Sequence, residues 1–359
     1  MLNRERLTRL HRDLRDEPVL TVYLDTDQHD PAQRGVWRTR LDRACAELRR
    51  ELEAAGKDTA PFLAARERLE ASLPADGFLP GDGWVAFASA HEIHYADGVP
   101  FSVPNLVLWD NGLHLAPYFR GLKQLRPAIL VMADRKHARF IRYQEGNLTE
   151  EPGLVAFADL GDVSDSGVGK RAARSSGVRG ATAKDLANRF LEVEAERLHH
   201  EVVERVREMA GREGLVLLGG PTETAARLQN LLPRELLSRT RLVPGVSVEE
   251  EVPRTRPHIR EAVTALSRSL QEDLLEDVLS QALSNGKGKI GTRDSRKALR
   301  ENRADLLLVS SNLLERETQL TDQLVGAALD QSADVELLVG NAATRLDEVG
   351  EGLAVRLRY

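Results

Sequence analysis

Apolar residues in this chain fall into two rhythms. Short continuous runs, suited to buried strands, alternate with longer stretches that repeat near the helical period. Val19-Leu20-Thr21-Val22-Tyr23-Leu24 reads as a strand, closed by Asp25-Thr26-Asp27. A long amphipathic helix is predicted over 36–55, with Gly56 as its stop, and a second over 62–73. Short strands between Gly, Asp and Pro turns follow at 83–88, 91–95 and 105–109. This is an α+β module over residues 1–125.

A second module covers 126–252. It opens on the apolar run 128–133, whose hairpin mate is the alternating segment 138–143. The turn Glu145-Gly146-Asn147 comes next. A helix is predicted over 183–210, with Thr182 as N-cap, Asp185 in capping-box spacing, and Gly211 as its end. Its apolar face reads Leu186, Phe190, Val193, Leu198, Val202, Val206 and Met209. The buried strand 215–218 then leads through Gly219-Gly220-Pro221 into another helix carrying Ala225, Leu228, Leu231 and Leu232. The third module, 253–359, begins with helices over 257–283. After the polar break Asn285 to Lys289 come a helix (294–301), a strand (305–310), a helix (319–331) and strands at 335–339 and 353–357. That succession is an α/β sandwich pattern. No internal repeat or low-complexity tract interrupts it.

At 359 residues the chain is long enough for two or three cores. It is 42% hydrophobic and 30% charged, with a net charge of −6. No global nucleic-acid signature is present, so any polyanion contact must come from a local patch. Arginine far outnumbers lysine, which suits bidentate phosphate contacts, although genome composition produces the same bias. The single cysteine, Cys45, excludes an intrachain disulfide and a multi-cysteine metal site. Its neighbours Leu41, Leu48 and Leu52 place it on a helical apolar stripe. No apolar run approaches membrane-spanning length and the N-terminus lacks a signal-peptide core, so a cytoplasmic protein with no membrane partner is expected.

One segment departs from this balance. Residues 166–184 carry Lys170, Arg171, Arg174, Arg179 and Lys184, four glycines and no acid. Two valines are the largest apolar residues, so the segment cannot bury a core. It reads either as a solvated loop or as concentrated positive charge for a polyphosphate partner. Other constellations favour plain readings. His199 and His200 are adjacent on a helix and read as surface histidines; no zinc-binding helix motif, nucleophile elbow or paired-cysteine motif is present. Gly219-Gly220-Pro221 lies where phosphate loops occur, but lacks their lysine and third glycine and reads as a tight strand-to-helix turn. Asp25 and Asp27 read as turn formers. Asp134-Arg135-Lys136-His137 is a basic turn that either joins the phosphate contact or is simply polar.

Three stretches, in order, resemble the archaeal/eukaryotic class-1 release factor and Pelota superfamily. They are Leu125 to Asp134 with its hairpin, Gly214 to Pro221 after the basic loop and long helix, and Asn285 to Thr292 continuing through Lys297-Ala298-Leu299 to Ser310. The tail Leu346 to Tyr359 resembles the family's closing glycine-then-strand segment. The nearest fit is the bacterial branch, which includes ribosome hibernation factors of the Balon type. The resemblance implies an α/β (mixed α+β) chain of three domains, with an RNase H-like middle domain and an α/β sandwich C-terminal domain. It implies the ribosome as partner through rRNA, with tRNA and a translational GTPase as further partners left open, and no cofactor.

The family's Gly-Gly-Gln aligns here with Gly177-Val178-Arg179-Gly180-Ala181-Thr182. No glutamine occurs between Gly146 and Leu228, so the amide that positions water is missing. The family's Asn-Ile-Lys-Ser codon motif is absent as well. The expectation is a non-catalytic stress or hibernation factor. Lys170, Arg171, Arg174, Arg179 and Lys184 would contact RNA phosphates, and Gly177 and Gly180 would allow close backbone approach. The alternatives are a peptidyl-tRNA or tRNA hydrolase using His137, His199 and the loop, and a scaffold whose third module docks a GTPase or ribosomal stalk.

Overall fold

The computed structural model describes residues 1–26, 35–74, 78–156, 183–211, 213–284 and 286–359, with only the backbone at 183–188. The elements in chain order are α1 (Arg4–Asp13), β1 (Pro18–Asp25), α2 (Val36–Ala54), α3 (Ala60–Ser72), β2 (Gly83–Ala88), β3 (Ile93–Val99), β4 (Leu106–Asn111) and α4 (Ala116–Gln124). Next come β5 (Ala128–Ala133), β6 (His137–Gln144), β7 (Asn147–Val155), α5 (Ala183–Ala210), β8 (Leu215–Gly219), α6 (Thr222–Leu231), α7 (Arg234–Leu237) and β9 (Thr240–Leu242). The last are α8 (Val252–Leu283), β10 (Gly288–Ile290), α9 (Thr292–Arg300), β11 (Ala304–Ser310), α10 (Ser311–Arg316), α11 (Thr318–Asp330), β12 (Asp334–Leu338), α12 (Asn341–Gly350) and β13 (Leu353–Leu357). The chain is mixed α/β with three sheets among the described residues.

Residues Met1–Leu125 and Gln271–Tyr359 form one compact unit, and Arg126–Leu270 form another. In the first unit, β1 is the central strand of an antiparallel sheet ordered β3-β2-β1-β4. Its apolar run is continuous because both faces are covered. Leu20, Val22 and Leu24 pack with Trp37, Leu41 and Cys45 of α2 and Phe62 of α3. Val19 and Tyr23 point the other way, into a core that also holds Leu307, Val309, Leu324, Val325 and Val355 of the last segment. The first and last segments thus share one interior. The second sheet of this unit is ordered β10-β13-β11-β12, with β11 and β12 parallel and β13 antiparallel to β11. Ala298 and Leu299 of α9 belong to the shared core, while α12 and the end of α8 cover the opposite face.

The unit Arg126–Leu270 holds a five-stranded sheet ordered β7-β6-β5-β8-β9. β5, β8 and β9 are parallel, and β6 and β7 add an antiparallel hairpin edge. Ile129, Val131 and Phe140 face α5 and α6; Leu130, Met132 and Ile141 face Ile259, Val263 and Leu266 of α8.

Several elements differ from the sequence reading. β7 occupies 147–155, where only a turn and loop are expected. It is an edge strand with no buried residue, so it carries little apolar signal. α1, α4, α10 and α12 are further additions, mostly short. α8 begins at Val252, with Pro257 inside it rather than at its start. Lys170, Arg171, Arg174, Gly177, Arg179 and Gly180 lie outside the described residues, and of Lys184 only the helical backbone is described. No helix among the described residues is long and apolar enough to cross a membrane.

Candidate functional site

Parallel pairing brings the carboxyl ends of β5, β8 and β9 to one edge of their sheet, together with the start of β6 and the end of β7. In open α/β sheets this is the edge where ligands bind. The β5–β6 connection is Asp134-Arg135-Lys136-His137. The Asp134 carboxylate accepts from the backbone N–H groups of Lys136 (2.6 Å) and His137 (2.7 Å), an arrangement that fixes the turn. Asp134 also donates its own N–H to the His137 carbonyl at 2.9 Å. With the carboxylate engaged by the backbone, the side chains of Arg135, Lys136 and His137 are exposed.

The Ala156 N–H donates to the Lys136 carbonyl at 2.8 Å. Ala156 therefore lies beside this basic turn, and the next described element is α5. Buried positions of that helix are Ala195, Leu198, His199, Val202, Val203, Val206 and Ala210. Among the described residues before Ala195 none is buried, and Val193, read from sequence as core, is 59% exposed. The backbone of Asp134 lies against the ring of His199, so His199 marks the level of the sheet edge. Ala183 precedes it by sixteen residues, or ~24 Å of helix. The first part of α5 therefore stands beyond the sheet.

His199 is 2% exposed, which corrects its reading as a surface histidine. It shares a face with Ala195, Val202 and Val203, at spacings of three and four, whereas His200 points to solvent. Neither ring nitrogen makes a hydrogen bond of ordinary geometry. Burial holds its pKa below the usual histidine value, helped by the Arg227 guanidinium and opposed by the Asp134 backbone. Arg227 of α6 pairs with Glu196 of α5, and both charges act on this ring. Such a histidine is packed as a neutral group and is closed to a solvent-borne ester.

Gly219-Gly220-Pro221 forms the tight turn expected. Gly220 has φ of 107° and donates its N–H to the Val246 carbonyl at 2.8 Å. A Cβ there would lie 2.2 Å from the Ala133 carbonyl oxygen, so glycine is required by close approach of two strand ends. That N–H is consumed internally and is not offered to a phosphate. Among the described residues no three His, Cys, Asp or Glu side chains converge to hold a metal ion.

The turn 134–137 thus lies beside Ala156, before the basic segment, and α5 begins at Ala183, at the segment's end. His137 stays at the edge, exposed, and His199 is buried beneath it. The Arg227–Glu196 pair has no sequence motif.

No protein-family model and no curated protein matches the chain. Solved structures do. The Pelota protein of Archaeoglobus fulgidus is similar over 77% of this chain and 79% of its own, at 14% identity and a TM-score of 0.40. An archaeal Pelota, from a model of its ribosome-bound complex with ABCE1, covers 75% of this chain and 72% of its own, at 15% identity and a TM-score of 0.43. The archaeal translation termination factor aRF1 aligns over 100% of this chain and 99% of its own, at 14% identity and a TM-score of 0.27.

Proposed function

We propose that this chain is a ribosome-associated translation factor whose basic segment 166–184 contacts rRNA or tRNA phosphates near the A site, and that it acts by occupancy, as a hibernation or stress factor, rather than by hydrolysis. The observation that carries this reading is the charge of the segment. Five cations and no acid stand on a chain of net charge −6, and the three stretches that resemble the release-factor and Pelota superfamily surround it. On either side of the segment, the chain lies at the carboxyl edge of the five-stranded sheet at Ala156, beside the exposed Arg135 and Lys136, and is helical from Ala183. Hydrolysis is the less supported alternative. The segment has no glutamine to position water, and the buried His199 cannot reach a substrate. Docking of a translational GTPase by the last segment is part of the same proposal and rests on the resemblance alone.

Co-sedimentation with purified ribosomes tests it. Replacing Arg171, Arg174 and Arg179 together by alanine should weaken binding at least tenfold at moderate salt and flatten the log–log salt dependence by about 2, at ~0.7 per lost contact to single-stranded RNA. A triple variant that pellets like the parent removes the segment from the interface.

A further inference from the structure

The last segment carries a second concentration of positive charge. On α9, Arg293, Arg296, Lys297 and Arg300 are all exposed. Their spacing of three, four and seven residues sets them along one helical face, with neighbouring Cβ atoms about 5–6 Å apart. The opposite face, Ser295, Ala298 and Leu299, is buried. None of the four cations makes an ion pair or hydrogen bond among the described residues. Elsewhere on this surface, arginines are regularly neutralised, as in Arg43–Glu47, Arg49–Glu53, Arg197–Glu201 and Arg345–Glu276.

Helix electrostatics account for part of the stripe only. Lys297 and Arg300 lie in the last turn, where the carbonyl ends favour cations. Arg293 lies in the first turn, where they are disfavoured, and like charges at these spacings repel. The nearby acids do not relieve it. Glu301 pairs with Arg303 at 3.3 Å, and Glu351 faces the Thr292 N–H at 3.4 Å. Asp294, exposed and three residues before Lys297, borders the stripe but makes no ion pair with it. The edge strand extends the charge. Lys289 is in register with Val355, whose side chain lies in the core that also receives Ala298 and Leu299 of α9, so Lys289 shares the face of the sheet that α9 covers.

We propose that this face of α9 is an RNA-binding surface that grips the phosphate backbone of structured RNA, separately from the segment 166–184. Three of the four groups are arginine, which forks onto phosphate oxygens, and contacts of this kind position a protein without reading sequence. The choice of RNA over an acidic protein as occupant rests on the ribosome reading above; the charge pattern itself does not.

The test uses the full chain, a fluorescein-labelled RNA hairpin and, as a competing polyanion, polyglutamate. In the variant Arg293→Gln/Arg296→Gln/Lys297→Gln/Arg300→Gln, hairpin affinity should fall at least tenfold and the salt slope should flatten by about 3, with ~0.7–0.9 per phosphate contact. Glutamine keeps helix propensity, so the thermal midpoint should match the parent. If it does not, Arg296→Gln alone, against Arg296→Lys, should separate loss of charge from loss of fold: Lys should keep hairpin affinity and Gln should lower it. Unchanged hairpin binding in the fourfold variant that melts like the parent overturns the proposal. So does polyglutamate binding tighter than the hairpin and lost in the same variant, which would assign the face to an acidic protein. The Arg171/Arg174/Arg179 triple variant runs in parallel. Loss there with the α9 variant intact would sink this inference and spare the functional reading; the reverse would sink the segment and spare α9.

Discussion

His114 Nδ1 lies 2.7 Å from Asp322 Oδ2, although 208 residues separate them in the chain. Both side chains are buried, and the second carboxylate oxygen of Asp322 accepts the Ala116 N–H at 2.8 Å. That N–H opens α4, so the carboxylate also faces the positive end of a helix. Tyr23 closes the group by donating its hydroxyl to the His114 carbonyl at 2.6 Å. The contact fastens the first segment of the chain to α11 of the last. Asp322→Ala would remove the partner of His114 Nδ1 and of the Ala116 N–H in a buried setting. It should destabilise the unit by about 3 kcal/mol or more. Asp322→Asn, which can still accept from Ala116, should cost less. Urea unfolding of the full chain measures both, and equal midpoints for parent and Asp322→Ala would refute the clamp.

Acid should weaken the fold through two histidines. His11 and His199 are each held below the ordinary value of 6.5, chiefly by burial. The folded state binds fewer protons than the unfolded one, so stability is full above the unfolded value and is lost as pH falls below it toward the folded values. Urea midpoints should therefore drop as pH falls below the ordinary histidine value of 6.5. His199→Leu and His11→Leu should each flatten part of that slope. A slope unchanged in the double variant would place the acid sensitivity elsewhere.

Gly220→Ala should be severely destabilising. The position combines a φ of 107° with a virtual Cβ 2.2 Å from the Ala133 carbonyl oxygen. Strain at such a position, plus displacement of the β5 end, should cost ~2–4 kcal/mol. Gly211, with φ of 52° but open space around its Cβ, should tolerate alanine better, so the pair of variants separates crowding from backbone strain. Similar losses at both would show that φ alone decides.

Cys45 should be chemically silent in the native state. It is 1% exposed, and burial pushes its thiol up to about 11. A thiol-disulfide reagent at neutral pH should modify it only at the rate of unfolding, and fully once guanidinium is added. Fast native labelling would mean that α2 opens locally.

What could be read from the chain follows from what covers each element. β1, β5, β8 and β11 appear in the sequence as apolar runs because both of their faces are packed. β7 does not, because its outer side is solvent and its residues alternate with acids and glycine. α1 is polar throughout except for a few leucines, of which Leu7 is the one fully buried position, so its period is faint. The burial of His199 did leave a signal, its spacing to Ala195, Val202 and Val203, but its adjacency to His200 and the lack of a metal-binding motif favour a surface reading from sequence. The common interior of the first and last segments left none, since periodicity shows that a face is covered and not by what. The same holds for α9. Its stripe of cations is visible in the spacing, while the lack of counter-ions is a property of the folded surface.

The two parts of α5 are mechanically distinct. From Ala195 onward the helix is rooted in its sheet, whereas no residue from 189 to 194 is fully buried. Removing seven residues, two turns, from the unrooted part would draw that end back by ~10 Å while keeping the same side facing forward. The reach of such a helix is set by a residue count, and an insertion or deletion of two turns would retune it without disturbing the buried face from Ala195 onward.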